Sequence, residues 1–194
     1  MKKMIVLAAL AACAAGAVQA QESPWMVRFR ATNLSMENKD STGLDLTVND
    51  KTIPEVDVSY FFNKNVAAEL ILTVPQKQDV YIGGASLGTF KHLPPTLLAQ
   101  YHFTNFNGFK PYVGAGINYT KISSVQLGAN ATLDNHSWGF AYQAGVDIPL
   151  DKKWSLNFDV KKIYIKSNVY LSGVNNGTLK LDPVAASVGV GYRF

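Results

Sequence analysis

The stretch that most constrains this chain is a hairpin over residues 92–120, in which HLPPTLLAQYHF and FKPYVGAGINYT flank a polar turn, TNFNG. Leu97, Ala99, Tyr101 and Phe103 share one face of the first arm, and Thr96, Leu98, Gln100 and His102 share the other. In the second arm Val113, Ala115, Ile117 and Tyr119 oppose Tyr112, Gly114, Gly116, Asn118 and Thr120. Side chains alternate across a strand, so this is two strands with one apolar face each. That face must meet either a second sheet, as in a soluble sandwich, or lipid, as in a barrel.

The remainder of the chain decides between them. No stretch after residue 20 approaches the ~18 apolar residues of a membrane helix, so a membrane-embedded chain has to be a closed β-barrel. Alternating segments recur at about 24–34, 54–62, 66–74, 136–148, 154–165 and 179–194, which with the hairpin makes eight strands. Their connections sort by length. Turns at 63–65, 104–108 and 149–153 are tight and polar, whereas 35–53, 75–93, 122–135 and 166–178 are long and rich in Asn, Gly, Ser, Asp and Lys. Short turns at one end and long loops at the other are the pattern of an outer-membrane barrel. Trp25, Tyr60, Phe62, Tyr101, Phe103, Tyr119, Trp138, Trp154, Tyr192 and Phe194 lie near the ends of the apolar faces, as aromatic girdles do at lipid–water boundaries. The expected fold is all-β: an eight-stranded antiparallel up-and-down transmembrane barrel with short periplasmic turns and long extracellular loops. The terminal Tyr192 and Phe194 resemble the signature by which barrel-assembly machinery recognises its clients.

The amino terminus carries Lys2 and Lys3, an uncharged run from Met4 to Val18, and small residues around Ala20. This is the form of a secretory signal peptide cut after Ala20, leaving a barrel over 21–194. Leu10-Ala11-Ala12-Cys13 is a rival lipobox, and Cys13 is the chain's one cysteine. Removing Lys2 and Lys3 lowers the net charge from +4 to +2. The excess is small and unclustered, which gives no support for nucleic-acid binding.

The face opposite the lipid points into a lumen that eight strands leave only wide enough for side chains or one small ligand. It collects Arg28, Arg30, Asp57, Glu69, Asp147, Asp159 and Arg193, both signs together, and charges there must pair or be solvated. A charge-paired plug is expected, not a porin-like pore. Inward Gly114, Gly116, Gly139, Gly145, Gly189 and Gly191 either make room for long cationic side chains or leave a cavity. Ile71 and Leu98 point inward toward the loop end, where they line an apolar upper pocket. Pro94 and Pro95, with Pro183, withhold ladder donors and are candidate lips of a side exit.

Reactive chemistry is thin. His92, His102 and His136 have no metal-ligand spacing. His136 and Ser137 are adjacent, so in a strand they point to opposite faces and make a poor base–nucleophile couple. No enzyme activity, metal or cofactor is expected.

Several pieces resemble the OmpW family of small outer-membrane proteins: HLPPT at 92–96, KPYVGAGINY at 110–119, SWG at 137–139, GVD at 145–147, LDP at 181–183 and GYRF at 191–194. Ala68-Glu69-Leu70 ahead of Thr73-Val74-Pro75 looks familial too. The resemblance covers nearly all of the mature chain. It implies a narrow apolar channel open to the outside and blocked toward the periplasm, from which small hydrophobic molecules leave sideways into the membrane. It also implies a constriction at Ile71 and at the position of Lys161, where the family can place a large aromatic. Lysine there departs from that pattern. It favours amphipathic or anionic cargo, or it pairs with carboxylates and only closes the barrel. The expected function is passive uptake of small hydrophobic or amphipathic molecules, with membrane lipid as the surrounding partner. The alternative is a structural barrel acting through its outer loops as a phage, colicin or host receptor.

Overall fold

Strands form wherever the alternation runs, and the computed structural model, which describes residues 23–194, carries them well beyond the eight expected. In chain order the first eight are β1 (Trp25–Ser35), β2 (Lys39–Asp40), β3 (Leu46–Val48), β4 (Lys51–Phe61), β5 (Val66–Thr73), β6 (Gln76–Ile82), β7 (Ala85–Leu93) and β8 (Thr96–His102). The remainder are β9 (Lys110–Leu127), β10 (Ala131–Leu133), β11 (His136–Pro149), β12 (Trp154–Ile163), β13 (Lys166–Leu171), β14 (Val174–Lys180) and β15 (Val184–Arg193). The expected signal peptide, its cut after Ala20 and Cys13 lie outside the described residues.

Eight of these strands close a ring, in the order β1, β4, β5, β8, β9, β11, β12, β15 and back to β1, with every neighbour antiparallel. Closure satisfies each strand's backbone inside the sheet, which hydrocarbon requires because it offers no hydrogen bonds of its own. Around the turn end, outward-facing rings touch edge to face: Trp25 with Tyr60, Tyr60 with Phe62, Tyr101 with Phe103, Trp154 with the half-buried Tyr192 and Tyr192 with Phe194. Tyr119 and Trp138 pair at the other boundary. Phe29 and Phe158 also face outward, between the girdles.

The four long connections are not irregular loops. They hold β2, β3, β6, β7, β10, β13 and β14, which raise the wall beyond the membrane. β9 is long enough to pair with β8 in its first half and with β7 in its second. A separate sheet, β10-β13-β14-β2, builds the facing side. The reason lies in which solvent each face meets. Beside lipid the outer face must be apolar, but above it the outer face meets water and the pattern inverts. On β6, Lys77 points out while Gln76, Gln78 and Val80 are buried inside, and on β7 Lys91 is outside while Phe90 and His92 are inside. Where backbone pairing is missing between β2 and β3, Asn38 exchanges two 2.9 Å hydrogen bonds with the Val48 backbone, and Asp40 accepts the Leu46 amide.

Candidate functional site

The lumen has two storeys of opposite chemistry. The lower one is ionic. Arg28 grips Asp147 with two hydrogen bonds, Nε to Oδ1 at 3.1 Å and NH2 to Oδ2 at 2.7 Å, and its third nitrogen donates to Asp57 Oδ1 at 3.1 Å and to Ser59 Oγ at 2.9 Å. Arg30, two residues along and so on the same face, donates to Glu55 at 2.9 Å, Glu69 at 3.0 Å and Asn157 at 2.7 Å, and lies 3.0 Å from Asp57 Oδ2. Lys161 Nζ donates to Asp159 Oδ1 at 2.6 Å and to Glu55 Oε1 at 2.9 Å. All of these side chains are buried. The arrangement is dense because a buried ion is tolerated only when partners replace its water.

Tyr112 ties this network together. Its hydroxyl donates to Asp159 Oδ2 at 2.8 Å and accepts from Asn157 Nδ2 at 3.0 Å, while its ring stacks on His102 at 4.9 Å. Its cross-strand partner is Gly145, and a Cβ there would run into the Tyr112 ring. Gly191 and Gly189 stand beside the Arg28 and Arg30 stems in the same way. These inward glycines therefore make room for the plug. Gly145→Ala should displace Tyr112 and lower barrel stability by ~1–3 kcal/mol, the usual cost of overpacking, read as a lower urea midpoint for unfolding in lipid. An unchanged midpoint would show that Tyr112 has slack.

The upper storey is mainly apolar, with Thr96, Asn118 and Thr120 hydrogen-bonded to one another as an inward polar chain on its wall. Leu34, Ile53, Ile71, Leu98, Ala141, Ile163 and Ala185 begin it within the membrane wall, and Leu46, Val48, Val80, Phe90, Ile122, Val169, Leu179 and Leu181 continue it above as one contiguous cluster. Leu44, Ile82, Leu87, Val125 and Leu127 edge it, partly exposed.

Beside this cluster the wall ladder is interrupted. β5 and β8 pair as far as Ile71↔Thr96, and β6 and β7 resume at Gln76↔His92, one residue out of register. Between them, residues 72–75 and 93–95 do not pair with each other. Each lip remains held on its far side: Leu72 and Thr73 by β4, Leu93 by β9, and the Pro95 carbonyl by the Tyr119 amide at 3.1 Å. The Val74 carbonyl, which a neighbouring strand would otherwise use, accepts from the Gln76 side chain at 2.6 Å. The interruption is thus built into the chain and is not a frayed end.

Residues 15–194 match the OmpW family. The chain belongs to the OmpW family. An outer-membrane protein of Sinorhizobium fredii, y4mB, is 43% identical over 190 residues, 91% of this chain and 82% of that one. Outer membrane protein W of Vibrio cholerae is 32% identical over 210 residues, covering 97% of each chain. Among solved structures, the outer membrane protein OprG from Pseudomonas aeruginosa superposes with a TM-score of 0.78 at 26% identity, over 92% of this chain and 99% of that one. This OmpW-family barrel resides in the bacterial outer membrane, with its turns periplasmic and its extended strands extracellular.

Most of the expected site residues meet where the sequence places them. Arg28, Arg30, Asp57, Glu69, Asp147 and Asp159 form one network. Ile71 and Leu98 belong to the apolar storey, with Leu98 the cross-strand partner of Glu69 and so adjoining the plug. Three expectations change. Lys161 does not join Ile71 and Leu98 but closes the plug through Glu55 and Asp159. Arg193 lies at the periplasmic mouth, its guanidinium 4.3 Å from the Phe61 ring centre and its Nε bonded to the Ser23 carbonyl, because the last inward position of β15 falls below the network. Pro183 sits on the opposite wall from Pro94 and Pro95, at a seam that is sewn shut: Ile163 N donates to Pro183 O, Leu181 N to Ile165 O, and Ile165 N to Asp182 Oδ1 at 2.8 Å.

Sequence reasoning missed Glu55 and Tyr112. Glu55 lies within the expected strand at 54–62 and shares parity with Asp57, so extending the inward face by one position reveals it. Tyr112 has a glycine directly across the ladder, which is a legible sign of an inward ring. His136 is exposed and Ser137 buried, on opposite faces, with Ser137 Oγ accepting the Lys166 amide.

Proposed function

We propose that this barrel is a passive channel that admits small hydrophobic or amphipathic molecules from outside and releases them sideways into the outer membrane. One observation carries the proposal: the apolar storey ends downward on a buried ionic plug, and beside it the wall ladder is interrupted at residues 72–75 and 93–95. A hydrophobic molecule gains ~25 cal/mol for each Å² of apolar surface it takes out of water. It would lose that gain on entering the plug, where it would also part ion pairs. The membrane beyond Leu72 and Val74, both exposed on the outer face, keeps the gain. Lateral exit is then the downhill direction, and no energy input is needed.

Export by a signal peptide cut after Ala20, and assembly recognition through Tyr192 and Phe194, belong to the same proposal. Uptake of a hydrophobic reporter should be faster in cells that make the protein than in otherwise identical cells that lack it. Equal rates would end the channel proposal.

A further inference from the structure

We propose that Gln78 and His92 form a polar foothold inside the apolar lumen that selects hydroxylated apolar molecules, namely phenols and long-chain alcohols. This rests on the channel function proposed above, whose cargo class it narrows.

Both side chains point inward from the β6–β7 extension and both are buried, at 0% and 1% exposure, next to Val80, Phe90 and Ile122. Gln78 Nε2 and His92 Nε2 are 3.1 Å apart. The remaining polar atoms of the pair, Gln78 Oε1 and His92 Nδ1, have no hydrogen-bond partner. Polar atoms buried in an apolar sheath are normally satisfied, so two orphans on one contacting pair point to a group that arrives from elsewhere.

Counting donors and acceptors identifies that group. Lys77 and Lys91 on the outer face place this level above the lipid, where burial lowers the His92 pKa to about 4, so the ring is neutral at ordinary pH. If the amide donates to a bare Nε2, then Nδ1–H is left as a donor and Oε1 as an acceptor. If the amide is turned and accepts from Nε2–H, then Nδ1 is left as an acceptor and the NH2 group as a donor. Either way the two positions left without a partner are one donor and one acceptor, beside a second N–H of the amide. A hydroxyl supplies one of each. A carboxylate only accepts and an ammonium only donates, and each would also shed its water without a counter-charge. The position suits selection as well. His92 pairs in register with Gln76 at the upper edge of the wall interruption, and Thr73 Oγ1, within the interruption, is another of the buried polar atoms without a partner.

The test compares uptake of 4-pentylphenol with that of hexylbenzene, which has the same number of non-hydrogen atoms and no hydroxyl. Cells would carry the wild-type protein, His92→Leu, Gln78→Leu or the double variant, each checked for a folded barrel by its heat-modifiable gel migration. The phenol-to-hydrocarbon uptake ratio should fall about tenfold in the double variant, the scale set by losing two ordinary hydrogen bonds. An unchanged ratio would overturn the foothold while leaving the channel intact. If the wild type carries neither compound, the channel proposal fails and binding decides. The His92 imidazole 15N resonances of the full-length protein in lipid should move on titration with 4-pentylphenol and stay in place with hexylbenzene. Resonances that ignore the phenol, or that move equally with both compounds, overturn the inference.

Discussion

Arg28→Met should be the most destabilising single substitution in the plug, costing ~3–5 kcal/mol, the range for stripping one partner from a buried ion pair. Among the described residues three cations, Arg28, Arg30 and Lys161, face five carboxylates, Glu55, Asp57, Glu69, Asp147 and Asp159. Cations are the scarce partner, so losing one leaves uncompensated anions, whereas Asp147→Asn removes surplus charge and should cost less. The pair Arg28→Met with Asp147→Asn should recover part of the loss, because the penalty comes from the stranded carboxylate and not from the missing contact. Urea unfolding in lipid would order the variants. The same change bears on function: with Arg28 gone, the periplasmic half should admit water and small ions, seen as raised conductance in planar bilayers. A midpoint and a conductance that both stay at wild-type values would mean that the lower lumen is already wet and blocks nothing.

Replacing Pro94 and Pro95 together by alanine should slow hydrophobic uptake while leaving the barrel folded. Adjacent backbone groups point to opposite sides of a strand, and the Pro95 carbonyl is already held by Tyr119 of β9, so it is Pro94 that lacks the N–H with which β8 would bond to β5 across the interruption. Restoring one such donor, worth ~0.5–1.5 kcal/mol net, biases the lips toward closure by about two- to tenfold in population. The remaining one-residue register offset between Ile71↔Thr96 and Gln76↔His92 prevents complete sealing, so the decrease should be partial. Pro183→Ala is the control. Its seam is already closed by backbone bonds from Ile163 and Leu181, and uptake should not change.

How much of this was legible in the chain follows from where alternation has a single meaning. Beside lipid, apolar means outward, and from that rule the eight membrane strands and the inward facing of Arg28, Arg30, Asp57, Glu69, Asp147 and Asp159 can all be read. Above the lipid the meaning reverses. Val80, Phe90 and Val169 then sit among lysines, asparagines and glycines that look like loop, and the extended wall disappears from view. Side-chain parity also gives direction but not height. Lys161 and Ile71 both point inward, yet only the closed ladder shows that Lys161 reaches Glu55 and Asp159. Pro183 shares with Pro94 and Pro95 only its residue type, and ring order separates them onto opposite walls. The orphaned atoms of Gln78 and His92 have no signature in sequence, because satisfaction is a property of neighbours.

The route through the barrel can be mapped directly. A small apolar photoreactive probe, supplied from outside to the protein in bilayers and then activated, would mark the residues it touches. Labelling is expected at Ile71 and Leu98 in the lumen and at residues 72–75 and 93–95 on the two lips, with none on Lys64, Lys110 or Asp151 at the periplasmic mouth. Labels at that mouth, or a lumen left unmarked while only the outer belt reacts, would contradict lateral release above a closed plug.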